Sequence, residues 1–382
     1  MDRAVIVAAT RTPIGRAHKG ALAGAGVDAF ALARVAVQEV VDRADIPADE
    51  IDDLVLAESL QGGGVIARHT AVELGLTGVP GMADNRHCAA GLSAIQIAAG
   101  SIMAGMDKAV IAGGTESLST MVMGTKGGEP WMSPSHTPTP EAPAFDMALT
   151  VGENTARLAG ISREASDEWA LHSHHRAATS RDDGRFAQEI VPVPLPDGSS
   201  FVDDEHPRPD TSLERLASLP VLHPEIEGAT VTAGNAAGLN DAAAAVMLTS
   251  DGFATAHGLA PLARIRSWAS VGIDPVETGL APTLAIPKAL ERAGLTLADV
   301  DLFEVNEAFC SVAVATSRRL DIDPDIMNVN GSGCGLGHPI AATGARMVVT
   351  MLHELRRRGG QIGVVAMCAG GGMGSALVLE LA

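Results

Sequence analysis

Apolar and polar positions along this chain alternate between two rhythms: short runs with the two-residue period of strands, and longer stretches with the helical period near 3.6. The opening segment predicts a first strand, Ala4-Val5-Ile6-Val7-Ala8-Ala9, closed by a turn at Arg11 and Pro13. Two charges ahead of so short an apolar run do not make a secretory leader. A helical pattern follows over residues 29–42, then Ala48-Asp49-Glu50-Ile51-Asp52-Asp53 leads into the apolar strand Leu54-Val55-Leu56. The same order returns near residue 300. A helical pattern over 286–293 precedes Ala298-Asp299-Val300-Asp301 and then Leu302-Phe303-Glu304-Val305.

The echo continues downstream. Asn85 to Gly91 opens a helix predicted over 92–103, followed by a strand over 108–112 that ends in Gly113-Gly114. Asn330 to Gly344 opens a helix predicted over 345–358, followed by a strand over 361–367 that runs to Gly370-Gly371-Gly372. Two copies of a strand–helix–strand unit predict two similar α/β halves. Their chemistry is expected at strand C-termini and helix N-termini, where the halves meet. Between them, residues from about 117 to 240 are rich in Pro, Ser, Thr, Asp and His, with prolines clustered at 130–143, 192–196 and 207–209. One helix interrupts this stretch, with Ser162 as N-cap and an end near Ser180. The expected division is a first half of 1–116 plus 241–262, an inserted loop domain of 117–240 over the core, and a second half of 263–382.

Composition narrows the classes. A chain of 382 residues, 46% hydrophobic, is long enough for two or three domains. Its 42 glycines, 7 Phe, 3 Trp and no Tyr suit close helix–sheet packing. A net charge of −19 argues against a general nucleic-acid or anionic-membrane binder, so an anionic ligand must meet a local cluster of donors. No uninterrupted apolar run of about 18 residues occurs, and no membrane span is expected. Cys88, Cys310, Cys334 and Cys368 lack any paired CxxC spacing, so neither a disulfide framework nor a zinc site is expected. Reduced thiols of this kind suit a cytoplasmic protein.

Four segments carry candidate chemistry. In Asp84-Asn85-Arg86-His87-Cys88-Ala89-Ala90-Gly91 the thiol stands where a helix begins, a place whose free N–H groups lower a thiol pKa. Taken alone, Cys88 reads either as a nucleophile or as a small buried hydrophobe. Asn330-Gly331-Ser332-Gly333-Cys334-Gly335-Leu336-Gly337-His338-Pro339 is dense in glycine and ends in a histidine at a helix start, placed as a base or a donor. Cys368-Ala369-Gly370-Gly371-Gly372-Met373-Gly374 sets a thiol beside a loop with exposed amides, an oxyanion site in form. Asn306-Glu307-Ala308-Phe309 follows a strand and reads equally as an ordinary helix cap.

Together, NRHCAAGL, TAGNAAGLNDAAAA, NEAF, GHPIAATGAR and CAGGGMG resemble the thiolase family along the whole chain, in that family's order and spacing. DEHPRPDTSLERL resembles its coenzyme A loop. The resemblance implies an αβαβα layered α/β fold from two similar halves, with a loop domain covering the coenzyme A site, in homodimers or homotetramers. Carried onto this chain, it makes Cys88 the acylated nucleophile and His338 the base that also holds the thioester oxygen. Asn306 positions a water in the same oxyanion hole, and Cys368 is the second acid–base thiol. The backbone amides of Cys88 and Gly370 form the second oxyanion hole. Arg208 falls near the nucleotide end of coenzyme A, Ala237 on the pantetheine loop, and Met147 and Phe309 on the pocket wall. Coenzyme A and acyl-CoA are the implied substrates; no metal and no tightly bound cofactor is implied.

The chain departs from the family pattern in places. Ala237 stands where the loop usually has serine, which removes one hydrogen bond to pantetheine, and Asp146 precedes Met147 where many members have histidine. Ala89 and Ala90 replace small hydroxyl residues, and Ser332 and Cys334 are unusual in the turn before His338; Cys334 is expected to pack. Two rival readings are a ketoacyl-synthase-type condensing enzyme and a silent acyl-CoA or lipid-binding scaffold. The first has no need of Cys368, and the second should have lost one of Cys88, Asn306, His338 or Cys368, all present here.

Overall fold

The computed structural model describes residues 3–61, 63–121, 124–131 and 134–382. The first half runs β1 (Ala4–Arg11), α1 (Ala29–Ala44), β2 (Asp53–Ala57), α2 (Ile66–Glu73), β3 (Met82–Asp84), α3 (Ala90–Met103) and β4 (Ala109–Ser117). Helix α4 (Arg163–Asp182) belongs to the inserted segment, and β5 (Asn240–Ser250) returns to the sheet. The second half repeats the order with β6 (Ala263–Gly272), α5 (Pro282–Ala293), β7 (Leu302–Val305), α6 (Cys310–Leu320), α7 (Ile340–Arg358), β8 (Ile362–Ala369) and β9 (Met373–Leu381).

The repeat has a physical anchor in two aspartates. Asp52 accepts the N–H groups of Lys108 and Ala109 at 2.6 and 3.0 Å, which starts β4 beside β2. Asp301 accepts those of Gln361 and Ile362, both at 2.8 Å, which starts β8 beside β7. The strand order is β7-β8-β9-β6-β1-β5-β4-β2-β3. Strands β2, β3 and β4 run parallel, as do β7 and β8, while the remaining neighbours are antiparallel. Among the described residues, the strands of the two halves pair where Val5 and Ile6 meet Arg264 and Ala263. In the second half the partner of β3 shrinks to one parallel bridge, Phe303 to Met327.

Strand alternation sorts side chains into layers. Val55, Val110, Ala112, Val365 and Met367 point into one central core with Leu92, Ile95, Val348 and Leu352 of α3 and α7. Their neighbours Leu54, Leu56 and Ile111 face Leu32, Val37 and Val40 of α1. Val364 and Ala366 face Ile286 and Leu290 of α5. The αβαβα order follows, with α3 and α7 as the middle layer. Those two helices touch backbone to backbone: a Cβ on Gly91 would lie 2.4 Å from the Ala341 carbonyl oxygen, and one on Gly344 would lie 2.4 Å from Leu92 N.

Some boundaries differ from expectation. Strand β4 runs through Gly113-Gly114 to Ser117 instead of ending there. A Cβ on Gly113 would lie 2.1 Å from the Ala244 carbonyl oxygen, so the glycine admits a neighbouring strand and is not a turn. Helix α7 begins at Ile340, five residues earlier than read, after a separate helical turn at Gly333–Leu336. Helix α4 starts as expected, with Ser162 Oγ accepting from Ala165 N at 3.3 Å. The insertion docks through buried charge. Arg11 donates to Glu189 at 2.6 Å and to both carboxylate oxygens of Asp204 at 2.7 and 2.9 Å. Such a pair gains little net stability, but its bidentate geometry admits one arrangement.

Candidate active site

Cys88 lies in the turn between β3 and α3. Asn85 Oδ1 accepts the His87 N–H at 2.9 Å, and His87 takes a left-handed backbone, φ 48°. Ala89 N and Ala90 N donate back to the carbonyls of Arg86 and His87 at 3.1 and 3.0 Å. These N–H groups are therefore not free for the thiol, and the lowered pKa expected at a helix start is corrected. Burial pushes the Cys88 thiol up to about 11, against the opposing pull of the Gly370 N–H and of its own N–H; Glu116 adds to the rise.

Cys368 is the penultimate residue of β8, buried among Val151, Val231, Phe309 and Val312. Burial holds its thiol far above the ordinary range, and the nearby Cys88 pushes the same way, so the two sulfurs face one space. Gly370 borders that space: a carbon on its Cα would lie 3.7 Å from Met147 Sδ. Met147 and Phe309 pack in the same apolar cluster as Cys368.

His338 is reached through the glycine-rich turn. Its backbone N–H donates to Asn240 Oδ1 at 3.0 Å, and Nδ1 lies 2.7 Å from Thr343 Oγ1 and 3.4 Å from Asn306 Nδ2. Burial, with Arg346 as a lesser cause, lowers its pKa to about 3, so the imidazole is neutral near pH 7. Both His338 Nε2 and Asn306 Oδ1 are buried without a hydrogen-bond partner among the described residues. Each is thus free to take a polar partner from a bound molecule.

Two buried carboxylates that sequence reasoning passed over hold these parts in place. Glu307 accepts from Trp169 Nε1 at 2.8 Å, Ser173 Oγ at 2.6 Å, Asn328 Nδ2 at 2.7 Å and Cys334 N at 3.1 Å. It ties α4 of the insertion to the loop of Asn306 and to the turn of His338. Glu116 accepts from Gln61 Nε2 at 2.7 Å, Leu60 N at 3.1 Å and Ala341 N at 3.2 Å, linking the end of β4 to the start of α7. The only sequence signal was a glutamate inside an apolar frame, Val305-Asn306-Glu307-Ala308 and Gly114-Thr115-Glu116. Glu307→Ala leaves three buried donors and the half-buried Trp169 N–H without an acceptor and is expected to cost at least about 3 kcal/mol. A urea titration that shows less than about 1 kcal/mol would remove its role as the tie.

A groove of about 660 Å³ is lined by His174, His206, Arg208, Arg215, Gly234 and Ala237 among others, and none of the candidate catalytic residues lines it. In this lining Arg208 is exposed and Ala237 half-buried. An isolated bridge from Ala236 to Phe309, and another from Leu239 to His338, tie the groove wall to the segments that carry Asn306 and His338. Cys334 is buried beside Cys310, Ala170 and Leu216, and its thiol donates to the Gly234 carbonyl at 3.6 Å, a packing role. Asp146 accepts from Leu149 N at 3.1 Å and pairs with His223 at 3.2 Å. Among the described residues no helix is long and apolar enough to cross a membrane, and no group of three or more His, Cys, Asp or Glu could hold a metal ion.

Fold and site together fit an acyltransferase: two neighbouring thiols, the Gly370 amide against one of them, and a neutral buried imidazole just before α7. The chain belongs to the thiolase family: residues 4–252 match the thiolase N-terminal domain and 259–381 the thiolase C-terminal domain. It makes or breaks a carbon–carbon bond next to a coenzyme A thioester. It is 41% identical to the 3-ketoacyl-CoA thiolase of Bacillus subtilis (strain 168), over all of both chains. With an acetyl-CoA acetyltransferase of Escherichia coli (strain K12) it shares 38%, covering 100% of this chain and 99% of that one. The crystal structure of human mitochondrial 3-ketoacyl-CoA thiolase in complex with CoA superposes with a TM-score of 0.90 at 35% identity, covering 100% of this chain and 98% of that one.

Proposed function

We propose that the enzyme cleaves 3-ketoacyl-CoA to acetyl-CoA and a shortened acyl-CoA through an acyl group carried on Cys88. His338 takes the Cys88 proton as the sulfur attacks the 3-keto carbon, and the oxygen of the tetrahedral adduct lies against one set of amide or imidazole donors. The bond between C2 and C3 then breaks. Its electron pair leaves as the acetyl-CoA enolate, whose α-carbon takes a proton from Cys368. In the second half-reaction Cys368 receives the thiol proton of free coenzyme A, whose sulfur takes the acyl group from Cys88, and His338 returns the proton. Asn306 holds a water beside His338, and the amides of Cys88 and Gly370 form the second oxyanion hole.

The observation that carries this reading is the pairing of Cys88 with Cys368 across one space, with the Gly370 N–H directed at the Cys88 sulfur. Arg208 receives the nucleotide end of coenzyme A in the groove, with Ala237 against the pantetheine arm and Met147 and Phe309 against the acyl chain. Coenzyme A acts as co-substrate, and the reaction needs no tightly bound cofactor. The preferred direction is degradative, on longer, branched or ring-derived acyl groups. Assembly as a homodimer or homotetramer is supported by β3, which pairs on one side only and carries the exposed Met82 near the exposed Val65 and Val72. Four free cysteines suit a cytoplasmic setting.

The test is intact-protein mass spectrometry after brief exposure to 3-ketoacyl-CoAs. The expected result is an acyl mass, mapped to Cys88, that disappears on adding free coenzyme A. A folded protein that carries no adduct with any chain would contradict the reading.

A further inference from the structure

The space beside Cys88 has an unusual wall. The carbon that would attach to Gly370 lies 3.9 Å from His87 Cγ, opposite Met147 Sδ at 3.7 Å, so an imidazole and a thioether flank the loop whose amide points at the nucleophile. The His87 ring is half-buried, and its nitrogens have no hydrogen-bond partner among the described residues. Burial first, and the charge of His136 second, hold the His87 pKa below its ordinary value. His136 is fixed from both sides, with Nδ1 2.9 Å from Ser135 Oγ and Nε2 2.9 Å from the Ala142 carbonyl oxygen. The carbonyl requires Nε2 to carry the proton, so Nδ1 accepts from the serine. Ser135 in turn packs where a Cβ on Gly371 would fall, which holds this strap against the catalytic loop.

The rest of the neighbourhood is apolar: Met147, Ala148, Val151 and Phe309 form one cluster with Cys368. A hydrocarbon chain lying there would strip water from the free His87 nitrogens and give nothing back. A chain with an oxygen acceptor would meet the imidazole N–H.

We propose that His87 is a specificity-determining residue that selects 3-ketoacyl-CoA substrates whose acyl part carries an oxygen acceptor, a carboxylate or a carbonyl, over plain hydrocarbon chains. The proposal rests on the reading of Cys88 as the acyl carrier. The backbone supports it, because a left-handed residue directly before the nucleophile turns its side chain on a geometry set by Asn85 and not by helix packing.

The experiment measures thiolysis kcat/KM for six-carbon 3-ketoacyl-CoAs that end in a methyl group, a carboxylate or a ketone. It uses the native enzyme, His87→Leu, His87→Asn and His136→Phe. The native enzyme is expected to favour one or both oxygenated chains by about tenfold or more. His87→Leu should abolish that preference mainly through KM, leaving the methyl-ended chain at or above its native rate. His87→Asn, which tolerates the left-handed backbone and keeps a donor, should retain part of it. Preference for the carboxylate alone, weakened in His136→Phe, assigns an anionic group; preference shared with the ketone assigns a neutral acceptor. Equal kcat/KM for all three chains in the native enzyme overturns the proposal, as does a fall in kcat common to all chains in His87→Leu. Absence of thiolysis with every chain overturns the assignment of Cys88 instead.

Discussion

Cys88→Ser is expected to lower kcat by at least about 10³-fold while leaving the fold and coenzyme A binding intact. The thiol begins with a pKa pushed up to about 11, and His338, lowered to about 3, is neutral and can accept its proton. The resting pair is thus thiol and imidazole, not thiolate and imidazolium, and proton transfer must accompany attack. An alcohol starts several further pKa units up against the same weak base. The neutral pair also fixes the sign of the pH dependence: acylation should speed up as pH rises toward the thiol range, and low pH should slow it only where His338 gains a proton. Thiolysis of acetoacetyl-CoA, followed by loss of its enolate absorbance, reads the effect. A serine variant that turned over normally would remove Cys88 as nucleophile.

Cys368→Ala divides the reaction differently. Acylation of Cys88 by a simple acyl-CoA needs no second thiol, so the variant should still take up an acyl mass. Carbon–carbon cleavage needs a proton for the enolate carbon, and the loss of a positioned acid is expected to cost about 10²–10⁴ in kcat. The surrounding cluster of Val151, Val231, Phe309 and Val312 tolerates a methyl in place of a thiol, so stability should change little. A variant with native kcat would show that the proton comes from elsewhere. One with neither acylation nor turnover would place Cys368 in the acylation step as well.

The repeat was legible because its marks are local. Asp52 and Asp301 each stand just before an apolar strand, and each caps the start of the strand that will lie beside it. The faces of Leu54 to Leu56 became visible only in the fold, where Val55 turns to the central core and its neighbours to α1. Residues 113 and 114 misled, because a glycine that admits a neighbouring carbonyl looks the same in sequence as one that turns the chain. The five motifs offered Cys88, Asn306, His338, Cys368 and Gly370 as candidates. What they could not give was the electrostatics. Whether N–H groups at a helix start serve a thiol depends on the carbonyls of Arg86 and His87, which claim them here. Glu307 and Glu116 were invisible for a related reason: each draws its donors from several distant segments, and an acidic residue shows nothing of that until the chain is folded.

The contact of Gly91 with Ala341 and of Gly344 with Leu92 bears on how such a protein diversifies. The helix after Cys88 and the helix after His338 rest on each other's main chains, so no side chain at that crossing can be exchanged to move them apart. Whatever varies among descendants of this scaffold must vary elsewhere, in the strap of Ser135 and His136 and in the groove wall near Leu222. An engineer seeking a new acyl group should therefore recut those loops and treat the glycine crossing as fixed.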